Sequence, residues 1–425
     1  MPKTIWRRRA TTIGAAACAG LLTTALTACG GGAFSGGGSS DSTQGTGPIR
    51  IGMLLDQTGE LALAGKPMQK AAQMAVADVN GKGGVLGRKL ELVSYDPQSD
   101  NAKYAQYANQ LAQQDKVDVV MGGITSASRE AVRPVTDRAK TLYMYNEPYE
   151  GGVCDKNTFL NGATLDQTIA PLMPWGIKKY GPKVYVVAAD YNFGHNAAKW
   201  VQKLTADAGG TVLNTEFVPL NVSDFNSIIN HIQAAKPDLV ASMLVGTNHV
   251  AFYRAYAAAG LNASTPILSE TFGLSGEHVV LDPKEARNIF VAASYYAALD
   301  RPENAAFKKL WHEANGAGYQ EPTAQDIDVW NGIHMYADAV KKAGSVERTK
   351  VIQSLEGGIS FDGPGGAVSV DPKTHHTVYD VHIAKTNDTH TFDIVSTTAQ
   401  VQPAWEQSVC DLQSKPDVNK QFSLD

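Results

Sequence analysis

The chain has 425 residues, of which 43% are hydrophobic and 19% are charged, and its formal net charge at pH 7 is −5. The basic residues are scattered along the chain, which excludes the dense positive surface that nucleic-acid binding requires. The hydrophobic content supports a sizeable core, and the length suits two domains of ordinary size.

The first 28 residues have the pattern of a secretory signal peptide. Lys3 and the arginines at 7–9 precede an apolar run that is too short to span a membrane. The sequence LTAC at 26–29 resembles a bacterial lipobox, so we expect lipidation of Cys29 and attachment to the extracytoplasmic face of the membrane. Plain secretory cleavage is the alternative, and the three arginines leave twin-arginine export open beside the general secretory route.

Residues 29–47 are rich in glycine and serine, which predicts a flexible tether. Cleavage before Cys29 would leave about 400 residues in the mature chain. Beyond the signal region the cysteines are Cys154 and Cys410. In an oxidising compartment, a pair so far apart in sequence favours a disulfide over a metal site or a nucleophile.

The first half of the mature chain alternates between strand and helix patterns. A helix from Pro67 to Gly81 follows the first apolar run, and Asp100 or Asn101 can cap a helix through Gln114. The glycines of GKGGVLG predict a hairpin turn. The predicted strands here are IRIGMLL, KLELVSY, VDVVMGG and TLYMY, and REAVRPVTDRAK is a predicted helix.

A second alternating run begins with a helix from about Leu165 to Tyr180. Two such runs predict an α/β fold with two doubly wound lobes, mostly parallel sheets and hinge strands between them. We assign 48–165 and 296–378 to lobe 1, and 166–295 and 379–425, with the C-terminal tail, to lobe 2. His375 and His376 follow Pro372 in a turn-like stretch, which predicts solvated side chains.

The motifs of several enzyme classes are missing from the sequence. The serines of GITSAS and GLSGE lack the spacing of a G-x-S-x-G elbow, HEANG fails the H-E-x-x-H zinc pattern, and no Walker loop or dinucleotide fingerprint is found. Asp190 and Glu270 follow strands and are candidates for acid–base chemistry, but no nucleophile accompanies them. We therefore expect no catalytic residues, no metal and no cofactor.

Ligands of open parallel sheets bind at the carboxyl ends of the strands. The residues that follow the predicted strands are rich in hydroxyls, amides and aromatic rings, which favours binding without reaction. These segments are 56–58, 122–128, 145–150, 190–193, 246–248 and 270–272.

Along nearly the whole mature chain, the sequence resembles the type I periplasmic-type solute-binding proteins of ABC transport systems for branched-chain amino acids, urea and short amides. The opening lobe from IRIGMLLDQTGELALAGKPMQ to ELVSYD carries the resemblance to the family. The segments EPYEGGVCDKN, NGATLDQTIAPLMPW, ADYNFGHNAAKW, VGTNHVAFYRAY, YYAALDRPENAAF and GGAVSVDPKTHHTVYDVHIAK are most similar to urea- and amide-binding members.

The resemblance implies a set of ligand-binding residues. It places one end of the ligand on Ser126, with Ser128 and the amide of Ala127 nearby, and it assigns Glu270 to the region in which amino acid binders have a carboxylate that binds the ammonium group. The chain has Ile124 where some amide binders have an aromatic residue, Phe193 in place of a tyrosine, and Gly194 where relatives often have proline. The predicted set is Ser126, Ala127, Ser128, Tyr145, Glu147, Tyr191, Phe193, Gly246, Thr247 and Glu270.

The resemblance also implies the function. We expect a lipid-anchored, monomeric protein that captures a small polar solute, with urea or a short amide favoured, by closing its lobes and delivers it to an ABC permease. A branched-chain or related amino acid binder is the alternative of the same fold. A membrane-associated sensor subunit and a hydrolase are the alternatives from other classes.

Overall fold

The apolar runs of the sequence form strands, and the amphipathic runs between them form helices. The structure is a computed structural model that describes residues 47–245, 248–274 and 276–424. Cys29 and the signal peptide lie outside the described residues, so their assignment stays a prediction. Among the described helices, none is both long and apolar enough to cross a membrane.

The helices of the described residues are numbered in chain order, with a π-helical turn at Leu111–Asp115 and a 3₁₀ turn at Leu261–Ala263. They are α1 (Ala62–Gly81), α2 (Asn101–Gln110), α3 (Ser126–Ala139), α4 (Leu165–Tyr180), α5 (Asn192–Asp207), α6 (Asn226–Ala235), α7 (Asn248–Ala258), α8 (Glu277–Val280), α9 (Pro302–Asn315), α10 (Ala324–Ala343), α11 (Arg348–Glu356) and α12 (Ala404–Val409).

The strands of the described residues are numbered in the same way. They are β1 (Ile49–Leu54), β2 (Leu90–Tyr95), β3 (Val119–Gly122), β4 (Leu142–Tyr145), β5 (Val153–Asp155), β6 (Thr158–Leu160), β7 (Lys183–Ala189), β8 (Thr211–Val218), β9 (Leu239–Met243), β10 (Ile267–Ser269), β11 (Ile289–Ala293), β12 (Ser360–Gly363), β13 (Gly366–Val370), β14 (Thr377–Thr386), β15 (Phe392–Val401) and β16 (Asn419–Gln421).

The strands build two main sheets. The first sheet has the order β2-β1-β3-β4-β6 and is parallel throughout. The second has the order β12-β13-β14-β11-β10-β9-β7-β8, with β15 on β14; its strands from β8 to β11 are parallel and the others are antiparallel. The α/β fold class with mostly parallel sheets is therefore confirmed.

The chain passes between the sheets more than once. It leaves the first sheet after β6 and builds the parallel part of the second sheet, and α10 then packs against α1 before β12 to β15 join the second sheet. The residue boundaries of the two lobes stay a prediction.

Two local sequence patterns, one on each side of β2, form the structures that they predict. The Asp100 carboxylate accepts hydrogen bonds from the N–H groups of Ala102 (2.7 Å) and Lys103 (3.2 Å), which caps α2. Val85 and Arg88 exchange two backbone hydrogen bonds of 2.9 Å, so the predicted hairpin turn between α1 and β2 is confirmed.

The prediction of solvated side chains at His375 and His376 is wrong, because both are fully buried. The ring of His375 stacks on Phe159 with centroids 4.0 Å apart, and its Nε2 bonds the Glu356 carboxylate at 2.8 Å. Burial lowers the pKa of both histidines, and that of His376 to about 3. Tertiary packing thus overrides the turn-like local sequence.

The predicted pair Cys154–Cys410 is joined as a disulfide in the structure, with the two α-carbons 5.6 Å apart. Next to it, β16 pairs with β5 in antiparallel register, with Lys420 opposite Cys154. The last strand of the chain is therefore held beside the segment that follows β4.

Candidate ligand-binding site

A cavity lies where the carboxyl ends of strands from both sheets meet. It encloses about 540 Å³ that no atom occupies, part of it open to solvent. Ligands bind at this edge of open parallel sheets because the loops and helix N-termini converge there. The cavity lining brings together six residues of the predicted set: Ser126, Tyr145, Glu147, Tyr191, Phe193 and Glu270.

Four other residues of that set are not placed at the cavity. Ala127 and Ser128 are not among the described residues of the lining, and Gly246 and Thr247 lie outside the described residues. Within the first turn of α3, Ser126 is therefore the residue that lines the cavity.

Two glycines shape the entry into α3. Gly122 and Gly123 have φ values of 103° and 92°, which side chains other than glycine rarely adopt. A Cβ atom on Gly122 would also lie 2.4 Å from the carbonyl oxygen of Leu54. These glycines are thus required by the backbone between β3 and α3, and they direct the start of the helix toward the cavity.

Ser128 caps the start of α3. Its hydroxyl accepts from the backbone N–H of Thr125 (3.0 Å) and of Ile124 (3.1 Å), and the Thr125 hydroxyl accepts from the N–H of Ser128 (3.0 Å). This reciprocal pattern is a capping box, which holds the first turn of α3 in place.

Behind Ser126 lies a buried ion pair. The Arg129 guanidinium donates to the Glu150 carboxylate at 3.0 Å, and the side chains of both residues are buried. Arg129 also lies over the ring of Tyr149, 4.5 Å from its centroid. The hydroxyl of Ser126 donates to the other carboxylate oxygen of Glu150.

Glu147 enters the cavity wall after β4 and is bound by Gln325 at the start of α10, whose amide donates to one oxygen of the Glu147 carboxyl. Burial, together with the nearby carboxyls of Asp328 and Glu270, raises the pKa of Glu147 well above its usual range. The second oxygen of Glu147 and the amide oxygen of Gln325 have no hydrogen-bond partner among the described residues.

Glu270 follows β10 on the opposite wall. Burial raises the pKa of Glu270 to about 8, so this carboxyl is mostly protonated at neutral pH when no ligand neutralises it. Its Oε2 atom lacks a hydrogen-bond partner among the described residues.

His249, on the first turn of α7, adds an acceptor to the same wall. Its Nε2 bonds the carbonyl oxygen of Leu244, so Nε2 carries the proton and Nδ1 keeps a lone pair. Burial lowers the pKa of His249 to about 3, which keeps the ring neutral. Nδ1 lies 3.7 Å from the carboxylate of Glu277.

The cavity is therefore rich in acceptors. Among the described lining residues there is no lysine or arginine, and the nearby Arg129 is bound to Glu150. Buried polar groups need partners, and a protonated Glu270 carboxyl adds one O–H donor to these acceptors, so a bound molecule that both donates and accepts hydrogen bonds satisfies this wall best.

Three polar residues of the lining were not predicted from the sequence: Gln325, His249 and Glu277. His249 is one residue beyond the segment 246–248 that was singled out after a predicted strand. Gln325 lies 178 residues after Glu147 and follows no strand, so its place at the site has no local signal.

Residues 49–409 match the family described as periplasmic binding protein domain. The chain belongs to this family. Leu/Ile/Val-binding protein homolog 6 of Brucella melitensis is 24% identical over 349 residues, which cover 80% of this chain and 88% of that protein. A Pseudomonas aeruginosa protein named for binding leucine, isoleucine, valine, threonine and alanine is 25% identical over 344 residues, or 79% of this chain and 90% of that protein.

A solved structure shows the same fold. The solute binding protein of an ABC transporter from Rhodopseudomonas palustris, in complex with 3,4-dihydroxybenzoic acid, has a TM-score of 0.76 at 22% identity and covers 84% of this chain and 99% of that one. The periplasmic binding proteins act outside the cytoplasm and bind solutes without converting them. The chain is accordingly an extracytoplasmic solute-binding protein and not an enzyme.

Proposed function

We propose that the chain is the binding component of an ABC transporter, which captures a small, donor-rich polar solute in this cavity and delivers it to a permease. The observation that carries the proposal is the set of buried oxygen atoms without partners, namely Oε2 of Glu147, Oε2 of Glu270 and Oε1 of Gln325. A solute with several N–H groups supplies donors to the unprotonated oxygens, and a carbonyl on the same solute accepts from a protonated carboxyl.

Urea or a short amide is the first candidate. Both are neutral and carry a carbonyl oxygen beside their N–H groups. Burial raises the pKa of Glu147 and of Glu270, and a protonated carboxyl donates through its O–H to that carbonyl and accepts an N–H at its other oxygen. A neutral guest enters such a cavity without introducing an unpaired charge into the protein interior. Urea, with four N–H bonds and one carbonyl, carries both kinds of partner.

A branched-chain amino acid is the second candidate, and the raised pKa of Glu270 gives it a specific signature. An ammonium group beside Glu270 favours the carboxylate form, so amino acid binding at neutral pH releases a proton from this residue. Anions often use helix N-termini, so we place the ligand's carboxylate at the start of α3, where the N–H of Ser128 is already bound to the Thr125 hydroxyl. The relatives named for leucine, isoleucine and valine support this candidate.

Calorimetry on the full chain distinguishes the candidates. Urea, acetamide, L-leucine, L-valine and 4-hydroxybenzoate are each titrated in two buffers of different ionisation enthalpy. Binding of urea or acetamide with a buffer-independent enthalpy supports the amide proposal. Leucine binding that releases close to one proton supports the amino acid, and tight leucine binding with no urea response removes the amide.

Glu270→Gln is the variant that tests the site, and the exposed Glu313→Gln is its control. An amide keeps a partner in Glu270→Gln, whereas an ammonium loses its counter-charge, so we expect a small loss for urea and a large loss for leucine. Equal affinity of both variants for every bound solute would place the ligand elsewhere.

We further propose that Cys29 carries a lipid that holds the protein at the membrane, where it meets the permease. Cys29→Ala should release the protein into the soluble extracytoplasmic fraction and abolish incorporation of labelled fatty acid. A wild-type chain that incorporates no label would contradict the lipid anchor.

A further inference from the structure

The C-terminal segment, defined as residues 404–424, reaches the back of the binding site. It is tied to the segment after β4 in two ways, through the disulfide Cys154–Cys410 and through the pairing of β16 with β5. Beyond the strand, the N–H of Phe422 donates to the carbonyl oxygen of Gly152 at 2.8 Å.

The side chain of Gln421, the last residue of β16, completes the buried ion pair behind the cavity. Its amide oxygen accepts from the Arg129 guanidinium at 3.0 Å. Its amide nitrogen donates to the Glu150 carboxylate at 2.5 Å and to the carbonyl oxygen of Gly151 at 3.0 Å. Gln421 therefore bonds both members of the ion pair, which orients the Glu150 carboxylate.

The orientation of Glu150 decides how Ser126 meets a ligand. A serine hydroxyl has one hydrogen, and that of Ser126 is donated to Glu150. Ser126 thus presents only oxygen lone pairs to the cavity that it lines. A ligand group at this position must itself be a donor.

We propose that Gln421 is a specificity-determining positioning residue: through Glu150 it holds Ser126 as an acceptor, so that the C-terminal segment selects a solute with an N–H or O–H group at this wall. This inference rests on the proposed function for its ligand and on the described contacts for its mechanism. The disulfide contributes because it keeps β16 in register beside β5.

Hydrogen–deuterium exchange on the full chain tests the mechanism without any ligand. Gln421→Ala and the double variant Cys154→Ser/Cys410→Ser are compared with wild type and with Lys420→Ala, which changes an exposed neighbour on the same strand. We expect faster exchange in residues 122–130 of both test variants, unchanged exchange there in Lys420→Ala, and unchanged exchange in β7 of the second sheet. Wild-type exchange in residues 122–130 of Gln421→Ala would overturn the proposal.

Affinity for urea and L-leucine tests the consequence for binding. Whichever of the two binds the wild type should bind Gln421→Ala about tenfold more weakly, which corresponds to the loss of a hydrogen bond to a charged group. Lys420→Ala should bind as the wild type does, and an unchanged affinity of Gln421→Ala would overturn the proposal. If neither solute binds the wild type, the ligand of the proposed function is wrong, while the exchange experiment still decides the mechanism.

Gln421→Glu separates positioning from packing, because the new carboxyl donates to Glu150 only when it is protonated. Relative to wild type, its affinity should be lowest near pH 8 and recover toward about pH 5. A pH-independent deficit would mean that Gln421 only fills space. The charged groups around this position are Arg129, Glu130, Glu150, Glu406 and Lys420.

Discussion

Glu270 shows how burial changes the titration of an ordinary acid in the cavity wall. Its pKa is raised from 4.5 to about 8 by burial, so the folded protein holds a proton that the unfolded chain has already lost at neutral pH. The contribution of Glu270 to folding therefore falls as the pH rises from about 4.5 to about 8, by about 1.4 kcal/mol per pH unit at most.

Glu270→Gln should remove this dependence. We expect the free energy of unfolding of the variant, relative to wild type, to be higher at pH 8 than at pH 5, because the amide does not titrate. Unfolding by guanidinium chloride at the two pH values measures it, since urea is a candidate ligand. A difference between variant and wild type that stays constant with pH would show that the Glu270 carboxyl is not buried as described.

Residue types near the site were predictable, whereas their exact roles depend on contacts that are distant in sequence. Ser126, Tyr145 and Glu270 follow strands, so the rule for parallel sheets places them at one edge. The resemblance places Ser128 near the ligand, and a small hydroxyl at a helix start is also suited to capping, which is the contact that Ser128 makes in the structure. Sequence alone does not distinguish these two uses.

At the scale of elements, the long buried strands and the amphipathic helices were predictable from periodicity. The short strands were not: β5, β6 and β16 have three residues each, and β16 reads Asn-Lys-Gln. β16 is a strand because of its partner and of the nearby disulfide, which are tertiary features. The burial of His375 and His376 was missed for the same reason.

The capping box of α3 is the element on which the site geometry depends. Thr125→Ala removes the oxygen that accepts from the N–H of Ser128, so we expect a loss of about 1 kcal/mol in the free energy of unfolding and weaker solute binding. Thr125→Ser keeps the oxygen and should restore both. Thr398→Ala, at an exposed position of β15, controls for the change of residue type. Chemical denaturation and calorimetry give the two readouts, and a stable Thr125→Ala that binds normally would contradict the role of the cap.

At the scale of the whole molecule, buried neutral histidines set the limit of stability in acid. The pKa values of His249 and His376 are lowered to about 3, whereas an unfolded histidine titrates near 6.5. The unfolded chain therefore binds more protons below pH 6.5, and stability falls as the pH decreases, by up to about 1.4 kcal/mol per pH unit for each histidine.

His376→Gln should reduce this acid sensitivity, although it also loses the contact of His376 with the hydroxyl of Tyr149. The informative quantity is the slope of unfolding free energy between pH 6 and pH 4, which should be shallower than in wild type. The exposed His231→Gln should leave the slope unchanged. Equal slopes in all three proteins would show that His376 takes up a proton within the folded state.

The two walls of the cavity come from different sheets, and this division implies a motion. Ser126 and Glu147 follow strands of the first sheet, whereas Tyr191 and Glu270 follow strands of the second. A solute bound to one wall is fully removed from water only when the other wall covers it, so binding favours the closed arrangement by the difference in affinity between the two states.

Small-angle scattering on the full chain measures this closure. Saturation with a solute that binds by calorimetry should decrease the radius of gyration. Ser126→Ala, which removes an acceptor from one wall, should show the same decrease only at a higher solute concentration. The solute can shift the equilibrium only by the difference between its affinities for the open and closed states. A variant in which the solute contacts one wall alone should therefore not close at all. Superimposable profiles of the wild type with and without a saturating solute would contradict closure and leave a rigid, preformed cavity as the binding state.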